Sequence, residues 1–399
     1  MKTKDKEQKH VLPRHRFWFF ILRPFAYLVS AKYHFKPKVT RLKKNKPCLI
    51  LSNRQAALDP IFLALSFTGP IYFVSSEHIF HKGFVSKLLV HCLAPIPRRK
   101  GDLDIKFIME MIKVSKEGGN IAIFLEGNRT WTNSQFPIPR SAESLVRKLG
   151  VDLVLFNLKG GYGVDPRWSN VVRKGKFTSK VARRLSAEEI KEMSDEELHN
   201  VIVDALDVKD GIDGSLYKSK KRAEHLERMM YICPCCKEKN TLRSEGMYVT
   251  CSKCNEQIEY TENLKLRYQG SDHELDDYYK MQIEETKNAV IEEDKEIFSD
   301  EGIVLYDQTT GTRVLVDQGR MSLTDKAIYV NDFKLDLTKI TSSSLIGGNM
   351  ITINTDKVAY IAIGDERFNS MKYVHYFGRL VPSIKNRSDN YYGLNIFEH

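Results

Sequence analysis

Four short apolar runs decide what the first half of this chain can become. Cys48-Leu49-Ile50-Leu51, Ile71-Tyr72-Phe73-Val74, Ile121-Ala122-Ile123-Phe124 and Val151-Asp152-Leu153-Val154-Leu155-Phe156 are sharply bounded and too short for helices. Such runs mark strands buried on both faces. Between them, Pro60 to Phe67, Phe84 to Leu93, Ile105 to Lys116 and Ser141 to Leu149 carry apolar residues at helical spacing. The alternation predicts an α/β domain over residues 47–217, built on a mostly parallel sheet with its chemical residues at strand ends. Two capping boxes, Ser186-Ala187-Glu188-Glu189 and Ser194-Asp195-Glu196-Glu197, announce two further helices beside the sheet.

Charge is concentrated ahead of that domain. Residues 1–46 hold 14 Lys and Arg against Asp5 and Glu7, so the formal charge of the chain lies there and the remainder is close to neutral. A nucleic-acid binder would spread its charge over a folded face, whereas this is a basic arm flanking an apolar run. That run, Phe17 to Leu22 and Phe25 to Val29, is interrupted by Arg23-Pro24, a charge and a helix breaker. A spanning helix needs roughly 20 apolar residues, and no small-residue cleavage site follows. The expectation is a membrane-association segment over residues 1–46, an aromatic anchor lying in an anionic membrane surface; the alternative is a helix packed on the domain behind it. The first reading places the chain at the cytoplasmic face of a membrane, peripheral or monotopic.

Five of the seven cysteines lie between Cys233 and Cys254. Cys48 and Cys92 stand alone in apolar contexts and read as reduced core residues rather than parts of a disulfide framework. Cys233-Pro234-Cys235-Cys236 and Cys251-Ser252-Lys253-Cys254 are separated by fourteen residues. Two such turns each offer a thiolate pair to one tetrahedral Zn²⁺, the spacing of a zinc ribbon. The ligands are Cys233, Cys236, Cys251 and Cys254, with Cys235 spare, and the ribbon spans residues 229–262. Its sparse positive charge and lone interior aromatic, Tyr248, favour a structural knuckle over a nucleic-acid face.

Residues 263–300 read as an acidic helical linker, a solvated spacer. From residue 301 to 399 the period becomes two, in short segments such as Ala327 to Val330 and Met350 to Ile353, separated by Thr309-Thr310-Gly311 and Gly347-Gly348-Asn349. A helix fits Phe368, Met371, Val374 and Phe377, with Asp365 as N-cap. Antiparallel strands closed by one C-terminal helix resemble a pleckstrin-homology or GRAM-like module.

Three blocks in the α/β domain carry chemistry. Asn53-Arg54-Gln55-Ala56-Ala57-Leu58-Asp59 follows the first apolar run, Ile96-Pro97-Arg98-Arg99-Lys100 follows the second helical stretch, and Leu125-Glu126-Gly127-Asn128-Arg129 follows the run ending at Phe124. Alone, each has a bland explanation: a helix cap, a solvated turn, a chance loop. Together, in this order and at strand ends, they resemble the N-H-x-x-x-x-D, arginine and F-P-E-G-T-R-S blocks of the glycerolipid (lysophospholipid) acyltransferases, over roughly residues 40–210. The resemblance implies transfer of a fatty acyl group from acyl-CoA or acyl-carrier protein to a lysophospholipid such as 1-acylglycerol-3-phosphate. It assigns Arg54 and Asp59 to the catalytic positions and Asn53, Arg98, Arg99, Glu126, Gly127 and Arg129 to substrate binding. Arg54 stands where the family's general base is a histidine. A guanidinium has no acceptor and stays protonated, so an ion pair with Asp59 is expected in place of a base. Neither His78, His81 nor His91 is an obvious substitute. Two readings follow: an acyltransferase of reduced or absent turnover, and a catalytically inactive lipid-binding scaffold.

Overall fold

The short apolar runs pair side by side into one sheet. The computed structural model describes residues 13–43, 46–76, 90–98 and 105–385; these fall into two units, one of described residues up to 164 together with 174–215, the other of 165–173 with 216–385. In the first, β1 (Phe35–Lys36), β2 (Cys48–Ser52), β3 (Ile71–Ser76), β4 (Ile96–Arg98), β5 (Asn120–Phe124), β6 (Asp152–Lys159) and β7 (Phe177–Leu185) lie in the order β1-β7-β6-β2-β5-β3-β4. Every neighbouring pair is parallel except β6 with β7. The fold is therefore α/β with a mostly parallel sheet.

Helices α1 (Pro13–Lys32), α2 (Asp59–Leu65), α3 (Ile105–Lys116), α4 (Ser141–Leu149), α5 (Gly161–Val164), α6 (Ala187–Glu192) and α7 (Asp195–Leu206) accompany it. Central strand β2 is buried along its whole length. Leu49 and Leu51 share a core with Ile121, Ile123, Leu153 and Leu155, covered by Met111 of α3, Val146 of α4 and Ile202 of α7. Strand alternation turns Ile50 to the other face, where Phe62 of α2 meets Phe35 and Phe177. Both capping boxes form, the Ser186 and Ser194 hydroxyls accepting from the Glu189 and Glu197 amides. The helix expected over Phe84 to Leu93 lies outside the described residues as far as position 89.

Helix α1 departs from its reading. Pro24 does not break it. Proline removes the hydrogen bond to the carbonyl four residues back, here that of Phe20, and both Phe20 and Pro24 are on the exposed side. Arg23, expected as an obstacle, turns to the end of α2 and donates to the Leu65 and Phe67 carbonyls at 2.9 and 2.7 Å. A cation at a helix C-terminus satisfies otherwise unpaired carbonyls. One face, with His15, Phe19 and Ser30, is buried; Phe17, Phe20, Ile21, Leu22, Phe25, Tyr27, Leu28 and Val29 are exposed. No described helix is long and apolar enough to cross a membrane.

The second unit holds two antiparallel sheets. β8 (Leu242–Glu245), β9 (Tyr248–Cys251), β10 (Gln257–Tyr260), β11 (Lys265–Tyr268) and β12 (Ser271–Glu274) form a meander that leads into α8 (Leu275–Asn288). Residues 263–300 are thus not a solvated spacer. Their acidic side chains occupy one side of α8, while Leu275, Tyr278, Tyr279, Gln282 and Thr286 are buried. Gln282 donates to the Met229 carbonyl (3.0 Å) and accepts from the Tyr231 amide (2.7 Å), tying α8 to the chain just before the first cysteine pair.

β13 (Phe298–Asp307), β14 (Val314–Leu323), β15 (Ala327–Val330), β16 (Phe333–Asp336), β17 (Ser342–Ile346), β18 (Met350–Asn354) and β19 (Ala359–Ile363) make the second sheet, followed by α9 (Met371–Leu380). Helix α9 starts after Ser370, not at Asp365, whose carboxylate instead accepts from the Arg367 amide in the turn before it. The expected domain 47–217 is also interrupted. Residues 165–173 pack in the second unit, where the Arg173 guanidinium lies over the rings of Trp168 and Tyr260.

Candidate functional site

Strand β2 ends at Ser52, and the next seven residues build the site. The Asn53 side chain donates to the Leu158 carbonyl and accepts from the Leu158 amide, both at 2.8 Å. Its amide group is used on β6, so Asn53 positions the loop and is not offered to a ligand. The Gln55 and Ala56 amides donate to one Asp59 oxygen, Oδ2, at 2.7 and 3.0 Å. This closes the loop onto the first residue of α2, where Pro60 is tolerated because first-turn amides have no helical acceptor. Asp59 is wholly buried, and its second oxygen, Oδ1, has no hydrogen-bond partner. Burial pushes its carboxyl up to about 7, against the opposing pull of the Arg54 charge and the two amides.

The Glu126 loop is fastened to the Arg54 loop through backbone. Glu126 accepts from the Arg54 amide at 2.9 Å and from the Phe136 amide at 3.1 Å, one on each carboxylate oxygen. The Thr130 amide donates back to the Arg54 carbonyl at 3.3 Å. Gly127 supplies the positive φ of +65° in the turn between them. Glu126 therefore holds the loop. Burial pushes its carboxyl up to about 8; the two amides and Arg54 oppose this, and Asp59 adds to it.

Arg54 is half-buried, its guanidinium 5.0 Å from the Phe124 ring centroid. The expected ion pair is not a contact: Arg54 Nε and Asp59 Oδ1 each lack a hydrogen-bond partner, and the charges act through space. Burial draws the Arg54 pKa down, Asp59 and Glu126 hold it up, and the neighbouring Arg129 charge draws it down further. Arg129 itself is half-exposed.

Arg98 ends β4, its backbone in register with Ser76. The Arg98 side chain, Arg99, Lys100, His78 and His81 lie outside the described residues. His91 packs edge-on against Trp18, at 6.4 Å between ring centroids.

Sequence reasoning missed Asp210. Its buried carboxylate accepts from the Gly160 and Gly163 amides at 2.7 and 3.0 Å, and burial pushes it up to about 6. Asn133 clamps the Asp210 backbone from both sides, at 2.9 and 3.0 Å. Gln55 donates to the Val208 carbonyl at 3.1 Å. Residues 208–210 thus brace the site loop and the turn into α5. At Gly160 φ is +102°, and a Cβ there would stand 1.9 Å from the Lys176 carbonyl oxygen. That glycine was the available signal; the lone Asp210 in a polar stretch offered none.

The cysteines converge in the second unit. The sulfurs of Cys233, Cys236, Cys251 and Cys254 all lie within 4.8 Å of one another. The Cys233–Cys254 and Cys236–Cys251 separations are 3.7 Å, against about 3.8 Å for the edge of a thiolate tetrahedron around a metal at about 2.3 Å. Lys237 and Asn255, one residue beyond each pair, have φ of +61° and +60°, and their amides donate to the Cys233 and Cys251 carbonyls. The two turns are near copies of one another, and the cluster could hold a metal ion. Cys235 lies outside this set.

Residues 33–157, within the first unit, match the acyltransferase family model. Over 161 residues the chain is 25% identical to the chloroplastic 1-acyl-sn-glycerol-3-phosphate acyltransferase BAT2 of Brassica napus. The matched region is 39% of this chain and 46% of that protein, so the chain spans less than half the length of this curated relative. The crystal structure of the 1-acyl-sn-glycerophosphate (LPA) acyltransferase PlsC from Thermotoga maritima aligns with a TM-score of 0.41 at 17% identity, covering 48% of this chain and 78% of that one.

Proposed function

We propose that the first unit is a lysophospholipid acyltransferase scaffold, built to move an acyl chain from acyl-CoA or acyl-carrier protein to an acceptor such as 1-acylglycerol-3-phosphate, giving phosphatidic acid. The observation that carries this is Asp59. It is buried, held by two amides on one oxygen, and keeps the other without a partner beside position 54. A carboxylate so held is arranged to orient a base. Arg54 supplies none, and losing a general base costs roughly 10²- to 10⁴-fold in rate.

The rest of the chain is read around that scaffold. The exposed apolar side of α1 and the basic arm support docking on an anionic membrane surface, which we place at the cytoplasmic face. The four cysteines support one structural zinc, since a set of four thiolates leaves no open coordination position. Arg98 and Arg99 are proposed as further phosphate contacts on the strength of their block alone.

The test is acylation of lysophosphatidate by the purified chain, with acyl-CoA and with acyl-carrier protein, beside Arg54→His. The His variant is expected to turn over about 10²- to 10⁴-fold faster than the parent. A His variant inert with both donors would overturn the reading. The second reading, a lipid-binding scaffold without turnover, is favoured by the state of the Arg54 guanidinium.

A further inference from the structure

Gln55 secures one end of its side-chain amide and leaves the other without a protein partner. The residue is 2% exposed, and its Nε2 donates to the Val208 carbonyl at 3.1 Å. Among the described residues its buried Oε1 meets no donor. Turning the amide over would not help, because Oε1 would then face the Val208 carbonyl. Nor can the side chain swing away freely. Gly161 packs so closely that a Cβ there would stand 3.1 Å from the Gln55 Cβ and 3.3 Å from Oε1. A buried acceptor left unmade is costly, and native folds satisfy it with protein or with ordered water.

The free space lies toward the loop that follows Glu126. Gln55 lines a cleft of ≈ 170 Å³, mouth included, together with Glu126, Thr130 and Ser134, and the interior admits about one water-sized group. Polar groups of both kinds meet there. The Thr130 hydroxyl, which accepts from the Thr132 amide at 3.2 Å, keeps a proton to donate, and the Ser134 hydroxyl carries another. Each Glu126 oxygen accepts one amide and has a lone pair left. A cation does not suit this cleft. The Arg54 charge acts on it from the adjoining loop, and burial pushes the Glu126 carboxyl up to about 8, so near neutrality that group is mostly uncharged. We propose that the cleft holds one ordered water, donating to Gln55 Oε1 and accepting from the Thr130 or Ser134 hydroxyl, as a cross-brace between the loop that carries Arg54 and residues 126–135. Buried waters make about three such bonds to groups the protein leaves unmatched. The brace adds to the direct bonds of the Arg54 amide and carbonyl, and it holds whether or not the chain transfers acyl groups.

The experiment is a crystal structure of the full chain at a resolution that orders waters, joined by oxygen-17 relaxation dispersion, which counts long-lived waters in solution. The parent is expected to show one water peak within hydrogen-bond distance of Gln55 Oε1 and of the Thr130 or Ser134 hydroxyl. Gln55→Met, close in volume and without the acceptor, is expected to lose one long-lived water and to exchange the amides of residues 130–135 about 10-fold faster. No peak in the parent, Oε1 paired with a protein donor, or a peak ringed by about six oxygens at cation distance would overturn the proposal. So would either an unchanged water count or unchanged amide exchange in Gln55→Met. Where that variant does not fold, the parent structure decides by itself.

Discussion

Asp59 and Glu126 are carboxyls that the fold holds in burial, with backbone amides as their main compensation. Their folded pKa values, about 7 and about 8, lie above the ordinary 3.8 and 4.5. Between those limits the folded chain binds more protons than the unfolded one, so these groups lower stability as pH rises through that window and favour the folded state below it. Asp59→Asn keeps an oxygen for the Gln55 and Ala56 amides and removes the titration. Its stability is expected to fall less steeply from about pH 4 to 7, by up to about 1.4 kcal/mol per pH unit. Urea midpoints of parent and variant across pH 5 to 8 check this, and parallel slopes would defeat it.

Individual elements carry their own tests. Helix α7 begins with a complete capping box, the Ser194 hydroxyl accepting from the Glu197 amide and the Glu197 carboxylate from the Ser194 amide. Ser194→Ala is expected to cost about 1 kcal/mol in urea unfolding; a change within experimental scatter would mean the α4–α7 packing, not the cap, sets the start of the helix. Arg147 of α4 supports such packing, donating to Asp195 at 2.8 Å. Helix α1 is tested by its exposed side. Replacing Phe17, Phe20, Phe25 and Leu28 with serine is expected to lower partition to anionic vesicles by at least about 10-fold, each buried aromatic or leucine side chain being worth about 1.5–3 kcal/mol in full transfer. Co-sedimentation unchanged by the four substitutions would assign membrane contact, if any, to another surface.

For the whole molecule, the four-cysteine cluster is the distinguishing feature of the second unit. It joins the Cys233 turn to the end of β9, and Gln282 of α8 binds the backbone of Met229 and Tyr231 just before that turn. Metal analysis of fresh, unchelated protein is expected to find one zinc per chain, and Cys251→Ser to lose it and open residues 229–288 to protease. A stoichiometry near zero in the parent would remove the zinc assignment. Within the same unit Arg228 donates to the Trp168 and Glu366 carbonyls, and the Lys372 ammonium, buried, meets Asn240 at 2.9 Å and Asp300 at 2.8 Å. The cysteine-bearing segment and the second sheet therefore share buried polar contacts through Lys372, and the span between them packs rather than standing in solvent.

Local pattern was enough for the parallel strands, the capping boxes and the order of the chemical blocks, because each depends on residues close in sequence: an apolar run buries wherever it lands, and Ser194 reaches Glu197 within one turn. The cysteine spacing likewise set two similar turns before any folding. What tertiary structure decided was how distant groups use one another. Asn53 spends its amide on Leu158, Arg23 caps α2, Asp210 braces Gly160, and Tyr278 and Gln282 turn an acidic stretch into a packed helix. Most consequential, Arg54 and Asp59 stand beside each other without pairing, because both Asp59-bonded amides belong to the same loop that carries Arg54. Opposite charges five residues apart suggest an ion pair in sequence; the fold determines which oxygens are left to form it.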